Sequence, residues 1–348
     1  MKFDFADQQP KFLMLMYGLV AFVVVVGGLL LLLDVVPAWF ARRREAQLVA
    51  ASVGGGPLPR RPKQREGLFA FFFLLPTLLL LVIGLVVPAI RTTLLSLMDG
   101  SSTNWVGLRN YGWMFSDDSI VRVLINTLVW VLLVPLVATG FGLLYAVLVD
   151  KARFEAVAKS LIFLPMAISF VGASIIWKFV YAYRGDGDQI GLLNHIVVSL
   201  GGEPKQWLLE SPLNTLLLIV IMVWIQAGFA MVVLSAAIKA IPGDIVEAAR
   251  LDGVSPWQMF WRITMPSIRP ALIVVVVTLT IATLKVFDIV RTSTNGNYDT
   301  SVIASEMYNQ AFRYGQNGQG SALAVFLFIL VIPVVIYQIR NLRQQREG

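Results

Sequence analysis

At least six uninterrupted apolar runs pass through this chain, each long enough to cross the ~30 Å hydrocarbon layer of a bilayer as a helix. With no water in that layer, the backbone must satisfy itself within each segment, which restricts spanning structures to helices and closed barrels. These runs are continuous rather than alternating, so a barrel is excluded. Charged residues make up 14% of the chain and apolar ones 57%, against ~25% charged in ordinary soluble domains. The expected fold is all-α, a polytopic membrane bundle of about seven transmembrane helices. Seven segments can be drawn, at roughly 12–36, 68–90, 122–149, 159–182, 212–238, 270–291 and 321–339.

Lys and Arg set the orientation, because they concentrate on the cytoplasmic side. The loops after the first, third and fifth segments, with the tail, carry 17 of the 28. Among them are Arg42, Arg43 and Arg44, Lys151, Arg153 and Lys159, Lys239 and Arg250, and Arg340, Arg343 and Arg346. The opposite side carries nine, and Lys178 and Lys285 lie inside segments. Those three loops and the C-terminus are therefore placed inside. The first run follows Asp4 and Asp7 and precedes three arginines. That pattern fits an uncleaved anchor with its N-terminus outside, not a signal peptide.

Residues 54–66, rich in Gly, Pro and Arg, read as a flexible basic linker suited to anionic lipid headgroups. The organisation expected is an anchor over 1–40, a cytoplasmic basic linker over 41–66 and a six-helix core over 67–348. A net charge of +7 does not make a nucleic-acid binder, because the basic residues lie in loops between spans. With no cysteine and His195 as the only histidine, thiolate sites and multi-histidine metal centres are impossible within this chain. No metal site is expected. Asp186-Gly187-Asp188 reads as a turn, His195 as a solvated loop residue, and Trp105, Trp113 and Trp207 as interfacial anchors.

Residues 239–269 read as two short helices joined by a turn. Pro242-Gly243-Asp244 starts the first, with Asp244 as cap. Ile245, Ala248 and Ala249 share a face. Asp252-Gly253 turns the chain, and glycine permits a left-handed backbone there. Ser255-Pro256 starts the second helix as cap and first-turn proline, Trp257, Phe260 and Trp261 form its apolar face, and Pro266 and Pro270 mark re-entry into the next span. Such a loop can lie on the membrane surface, or dock its small-residue face in a partner's cleft with Glu247 meeting a basic or amide group.

Ile241-Pro242, Glu247-Ala248-Ala249, Asp252-Gly253 and Ile263 to Pro266 together resemble the coupling loop of binding-protein-dependent ABC importer permeases, with Met265 where leucine is usual. Val106 to Tyr111 with Asn126-Thr127-Leu128 is similar to the approach to the third span of MalF-type sugar permeases. So are Leu164-Pro165, Trp177-Lys178, Trp224, and Phe287-Asp288 followed by Thr294-Asn295-Gly296. The Phe287 to Val290 and Gly320 to Val325 stretches look most like the α-glucoside branch. The resemblance covers roughly 68–340. It implies a type I ABC importer permease core in the bacterial inner membrane. Its expected partners are a second permease subunit, two ATP-binding subunits and an extracytoplasmic sugar-binding protein. ATP and Mg would be bound by the partner ATPases, and this chain would be a transport subunit, not an enzyme, with no cofactor of its own. No Gly-Lys dipeptide occurs, so there is no P-loop; Gly315 to Gly320 is expected to be an outer loop.

The same resemblance gives Glu247, Ala248, Ala249, Asp252, Gly253, Ile263 and Pro266 the role of coupling to the ATPase. It gives the substrate pathway to Met166, Phe170, Met222, Trp224, Ile225, Gln226, Leu279, Ala282, Thr283 and Val286. Gln226 and Thr283 are the polar members, so a weak transit site is expected, with plain bundle packing the simpler reading of each position. Lys285 and Asp288, three apart, are expected on one helix face, as an ion pair or a gating or sugar-contacting pair, and Lys178 as a snorkelling residue. The rival classes are an ion-coupled secondary transporter and a membrane enzyme acting on lipid-linked sugars. Asp288 is the one firm buried-carboxylate candidate for the first, Asp186 and Asp188 the only paired carboxylates for the second, and neither accounts for the 239–269 loop.

Overall fold

The computed structural model describes residues 16, 17, 20, 27, 28, 66–150 and 153–347. The expected first span and the basic linker lie almost wholly outside them. Apart from one isolated bridge, Met98 to Trp105, the described residues contain no β-structure. Two units are present, Met1–Ile90 and Arg91–Gly348. In the first, α1 (Glu66–Leu81) passes through a π-helical turn (Val82–Val86) into α2 (Val87–Leu95), whose residues from Arg91 on are counted with the second unit. Val87 N–H donates to the Val82 carbonyl, and Pro88 follows with no N–H to give to the preceding turn.

The second unit opens with α3 (Arg109–Ser116) and α4 (Asp118–Val149). Asp117 caps α4, its carboxylate accepting from Ser119 N at 2.9 Å and Ile120 N at 3.4 Å. These bonds, led by the Ser119 hydroxyl, hold its carboxyl below the usual range. The cap begins α4 four residues earlier than the hydropathy of 122–149 indicates. Segment 159–182 is not one straight span. It is α5 (Glu155–Phe163), a 3₁₀ turn (Leu164–Ala167) and α6 (Phe170–Val180), bent by 102°. Pro165 cannot donate a helical bond, Ile168 and Ser169 are extended, and Ser169 Oγ caps the new helix from Gly172 N at 3.1 Å. A short α7 (Leu192–Ser199) carries His195, which is exposed but helical rather than in a loop.

α8 (Leu213–Lys239) leads through α9 (Gly243–Leu251) to α10 (Pro256–Met259). From Pro256 a π-helical turn (Phe260–Thr264) joins α10 to α11 (Met265–Leu284), so the second loop helix and the following span form one 29-residue helix. Pro266 and Pro270 mark no break. The π turn absorbs the first, with Met265 N–H reaching back to the Phe260 carbonyl. The chain ends in α12 (Asp288–Ser293), α13 (Ile303–Tyr308) and α14 (Asn317–Glu347). The expected Gly315 to Gly320 loop is therefore mostly the first turn of α14. A Cβ on Gly318 would lie 2.8 Å from the Asp99 carbonyl oxygen, and one on Gly320 2.8 Å from Ala311 Cβ. These glycines serve close packing, not a turn. The described residues hold five helices able to cross a membrane, and six when the bent α5–α6 pair is taken as one span.

α8 is the axis of this unit. Leu218, Ile221, Met222, Ile225, Met231 and Leu234 are all nearly or fully buried, against Trp130, Val134 and Ala138 of α4 and Val275 and Leu279 of α11. Lipid is as apolar as leucine, so tight packing, not expulsion from water, holds such helices together. Small residues set the distance. Gly142 of α4 lies against α8 so closely that a Cβ there would come within 2.8 Å of Met231 N and also strike Ala230 Cβ. Gly140, one turn-face away, has nothing within 4 Å of its missing Cβ. Gly142→Ala is expected to destabilise the detergent-solubilised protein by about 1–3 kcal/mol through overpacking, and Gly140→Ala to leave it unchanged or more stable by up to about 1 kcal/mol. Thermal unfolding of the two variants side by side tests this.

Candidate coupling loop and transport path

The 240–256 loop has a defined shape. Pro242, not Asp244, is the residue before α9; Asp244 sits in the first turn and makes no capping bond, its charge facing the positive helix end. At the other end Gly253 adopts φ +73°. Gly253 N–H donates to the Arg250 carbonyl and Val254 N–H to Ala249, each at 3.1 Å, the paired bonds of a Schellman stop. Ser255 then caps α10 in a reciprocal box, with Gln258 N to Ser255 Oγ at 3.3 Å and Ser255 N to Gln258 Oε1 at 3.0 Å.

The face expected from Ile245, Ala248 and Ala249 divides. Ala249 is buried, whereas Ile245, Glu247, Ala248 and Asp252 are exposed. Leu251 is 89% exposed, and Trp257 and Trp261, edge to face at 5.7 Å, are exposed as well. Ile263 is half-buried in the π turn and Pro266 exposed just after it. A rigidly capped helix thus presents small, acidic and apolar groups outward.

Sequence reasoning missed what holds the root of this loop. Lys159 Nζ lies 3.2 Å from Asp150 Oδ1 and 2.6 Å from Glu155 Oε1, and Lys239 Nζ reaches the same two oxygens. Ser235 Oγ donates to Asp150 Oδ1 at 3.1 Å and also bonds Lys159. The Glu155–Lys159 pair was readable from its helical spacing; its meeting with α4 and α8 was not.

The expected pathway residues do not share one surface. Met222, Ile225, Leu279, Thr283 and Val286 are buried within this chain, and Thr283 Oγ1 is spent on the Leu279 carbonyl at 2.7 Å. Phe170, Trp224, Gln226 and Ala282 keep partial exposure, and Met166 is exposed. Trp224 alone of the set lines a cavity of about 400 Å³, with Phe141, Tyr145, Pro165 and Trp177. Its ring meets Trp177 edge-on at 5.7 Å. Lys285 and Asp288 are not on one helical face. α11 ends at Leu284, and Phe287 takes φ −137°, ψ −54° before Asp288 opens α12. Both side chains are exposed, and no ion pair joins them. Lys178 does more than snorkel, since its Nζ reaches the Thr292 carbonyl at 3.4 Å. Trp207 is half-buried and gives its Nε1–H to Asn194 at 2.8 Å, and Trp113 packs on a core cluster; Trp105 alone of the three is exposed.

Two stretches far apart in sequence meet at the opposite end of α4. Asn126 Nδ2 donates to the Asp299 carbonyl and to that of Ser301 at 3.0 Å, Thr127 Oγ1 accepts from Ile303 N at 3.0 Å, and Asn214 Nδ2 donates to the Tyr298 carbonyl at 2.7 Å. These bonds pin a loop in which Asn295, Tyr298 and Asp299 all have positive φ, a conformation costing roughly 1–2 kcal/mol per residue outside glycine.

Among the described residues, membrane-length helices and a capped loop helix with an exposed face are what the structure brings together. The chain belongs to the family of binding-protein-dependent transport system inner membrane components, whose pattern it matches over residues 138–347. It is 53% identical over 276 residues to the osmoprotective compounds uptake permease protein GgtC of Synechocystis sp., covering 79% of this chain and 99% of that one. It is 48% identical over 280 residues to the alpha-glucoside transport system permease protein AglF of Rhizobium meliloti, covering 80% and 83%. A bacterial ABC transporter that imports the acidic polysaccharide alginate shares its fold, with a TM-score of 0.69 at 23% identity over 80% of this chain and 96% of that one. This chain is an ABC permease subunit, a transport component and not an enzyme. Family membership favours neither a secondary transporter nor a lipid-linked-sugar enzyme.

Gly253→Ala is expected to cost about 1–2 kcal/mol locally by forcing a side chain into the left-handed region. Hydrogen exchange at the Gly253 and Val254 amides should quicken while the α8 core amides stay protected.

Proposed function

We propose that this chain is one of two permease subunits forming the path of an ATP-driven importer for α-glucosides such as maltose, trehalose or sucrose. The substrate class rests on the 48% identity with a permease named for alpha-glucosides; the 53% relative named for osmoprotective compounds is compatible with a neutral polyhydroxylated cargo. The N-terminus lies outside and the C-terminus inside, a placement supported by the Lys and Arg distribution, with residues 1–40 an anchor and 41–66 a linker. Two ATP-binding subunits, which hold the ATP and Mg, seat the exposed face of α9, and an extracytoplasmic binding protein delivers sugar.

The observation that carries the coupling role is α9 itself. It is capped by the Gly253 stop, stands out at one end of the bundle, and leaves Glu247, Ala248 and Asp252 exposed for a partner. ATP binding draws the loops of the two permeases together and favours the state open to the binding protein; hydrolysis returns the pair to the state open inward. Ile263 and Pro266, at the π turn, transmit that motion. Met166, Phe170, Trp224, Gln226 and Ala282 offer the accessible part of the sugar path, while Met222, Ile225, Leu279, Thr283 and Val286 support it from behind. With Gln226 the one polar side chain left free to bind, sugar is held weakly in transit and selectivity rests largely with the binding protein.

Glu247→Lys is expected to leave insertion and assembly intact while lowering uptake per ATP hydrolysed by about tenfold. Reconstituted complexes assayed for both quantities, with a panel of di- and oligosaccharides, test the coupling role and the cargo together. Normal coupled uptake in this variant would defeat the role of α9, and indifference to α-glucosides would defeat the cargo.

A further inference from the structure

The charge cluster at the root of the loop has an unusual arrangement. Lys159 and Lys239 do not each own a carboxylate. Both contact Asp150 Oδ1, at 3.2 and 3.5 Å, and both contact Glu155 Oε1. The two lysines differ in setting: the Lys159 side chain is 20% exposed and enclosed, whereas that of Lys239 is 50% exposed. Lys159 is also bonded to Ser235 of α8, and Ser235 in turn donates to Asp150. If Lys239 withdraws into water, Lys159 still pairs with both carboxylates and Ser235 still satisfies Asp150. With Lys239 engaged the cluster balances two lysines against two carboxylates; with it released both carboxylates would keep Lys159 as a partner, leaving one net negative charge beside the solvent that Lys239 had faced.

Lys239 is the last residue of α8, and three residues separate it from α9. That connection is taut. Ala240 N–H bonds the Ala236 carbonyl at 3.1 Å, Ile241 N–H bonds Ile238 at 3.2 Å, and Ile245 N–H bonds Pro242 at 3.2 Å. Along the chain, Lys239 is the residue of α8 nearest to α9. Its two carboxylate partners sit at the end of α4 and the start of α5.

Resting on the coupling role proposed for α9, we infer that Lys239 is a positioning residue acting as a releasable latch. When engaged, it ties the loop to the α4–α5 corner, so that motion of α9 is delivered to three elements together. When released, it lets α8 and α9 move while Lys159 keeps the corner closed. The inference adds a conformational role for Lys239, Asp150 and Glu155, none of which touches the face offered to the ATPase.

The test uses the complete complex reconstituted in vesicles, with uptake and ATP hydrolysis measured in the same preparation. Lys239→Gln is expected to leave assembly unchanged and to lower sugar carried per ATP about tenfold. Lys239→Arg, which keeps the cation and its reach, is expected to retain most of the wild-type ratio. An unchanged ratio in Lys239→Gln, or equal impairment in Lys239→Arg, overturns the latch. The coupling reading fails differently: there the wild-type complex itself shows no link between hydrolysis and uptake, or Glu247→Lys leaves that link intact, and the latch falls with it.

Discussion

A helix in a bilayer ordinarily gives much of its surface to lipid, and α8 does not. Over its most apolar 18 residues, 56% are buried by the chain itself. α4, α5 and α11 all take their position from it, and the contact with α4 depends on the absence of a side chain at Gly142. Because packing rather than water expulsion holds membrane helices together, this close approach fixes where the ends of α4 and α8 fall. Both the charge cluster at Asp150 and the start of the 240–256 loop inherit their place from it.

The two ends of the bundle are built differently. At one, backbone carbonyls of a left-handed loop are held by the neutral amides of Asn126 and Asn214, with an exposed Arg122–Asp299 pair at 3.2 Å beside them. At the other, two lysines share two carboxylates. Neutral amides on fixed carbonyls suit a rigid closure. Shared ions with one half-exposed member suit an element that changes partners.

Much of the fold was legible because the bilayer demands it. Continuous apolar runs marked the spans from α1 to α14, and Gly253, Ser255 and Pro256 marked the stop and start inside the loop through local turn chemistry. What was not legible depended on residues meeting across the chain or on the detail of a helix end. Hydropathy cannot see the 102° bend at Ile168 and Ser169, since both of its arms are apolar. The spacing of Lys285 and Asp288 implied a shared face, but α11 stops between Leu284 and Phe287. Gly318 and Gly320 looked like loop residues and are helical, because their glycine character serves contacts with Met98, Asp99 and Ala311 that no local pattern announces. Of the expected pathway set, Thr283 is polar in sequence and silent in structure, its hydroxyl already spent on its own helix.

The unbroken run from Pro256 to Leu284 has a mechanical consequence. Its 29 residues extend roughly 43 Å at 1.5 Å per residue, with Trp257 and Trp261 at one tip and the Lys285 to Asp288 break at the other. Were this helix to turn as one body about its middle, a push at the tryptophan tip would swing the far tip the opposite way. The two exposed charges beyond Leu284 would then shift as the loop is pressed, although some 40 Å of helix lies between them.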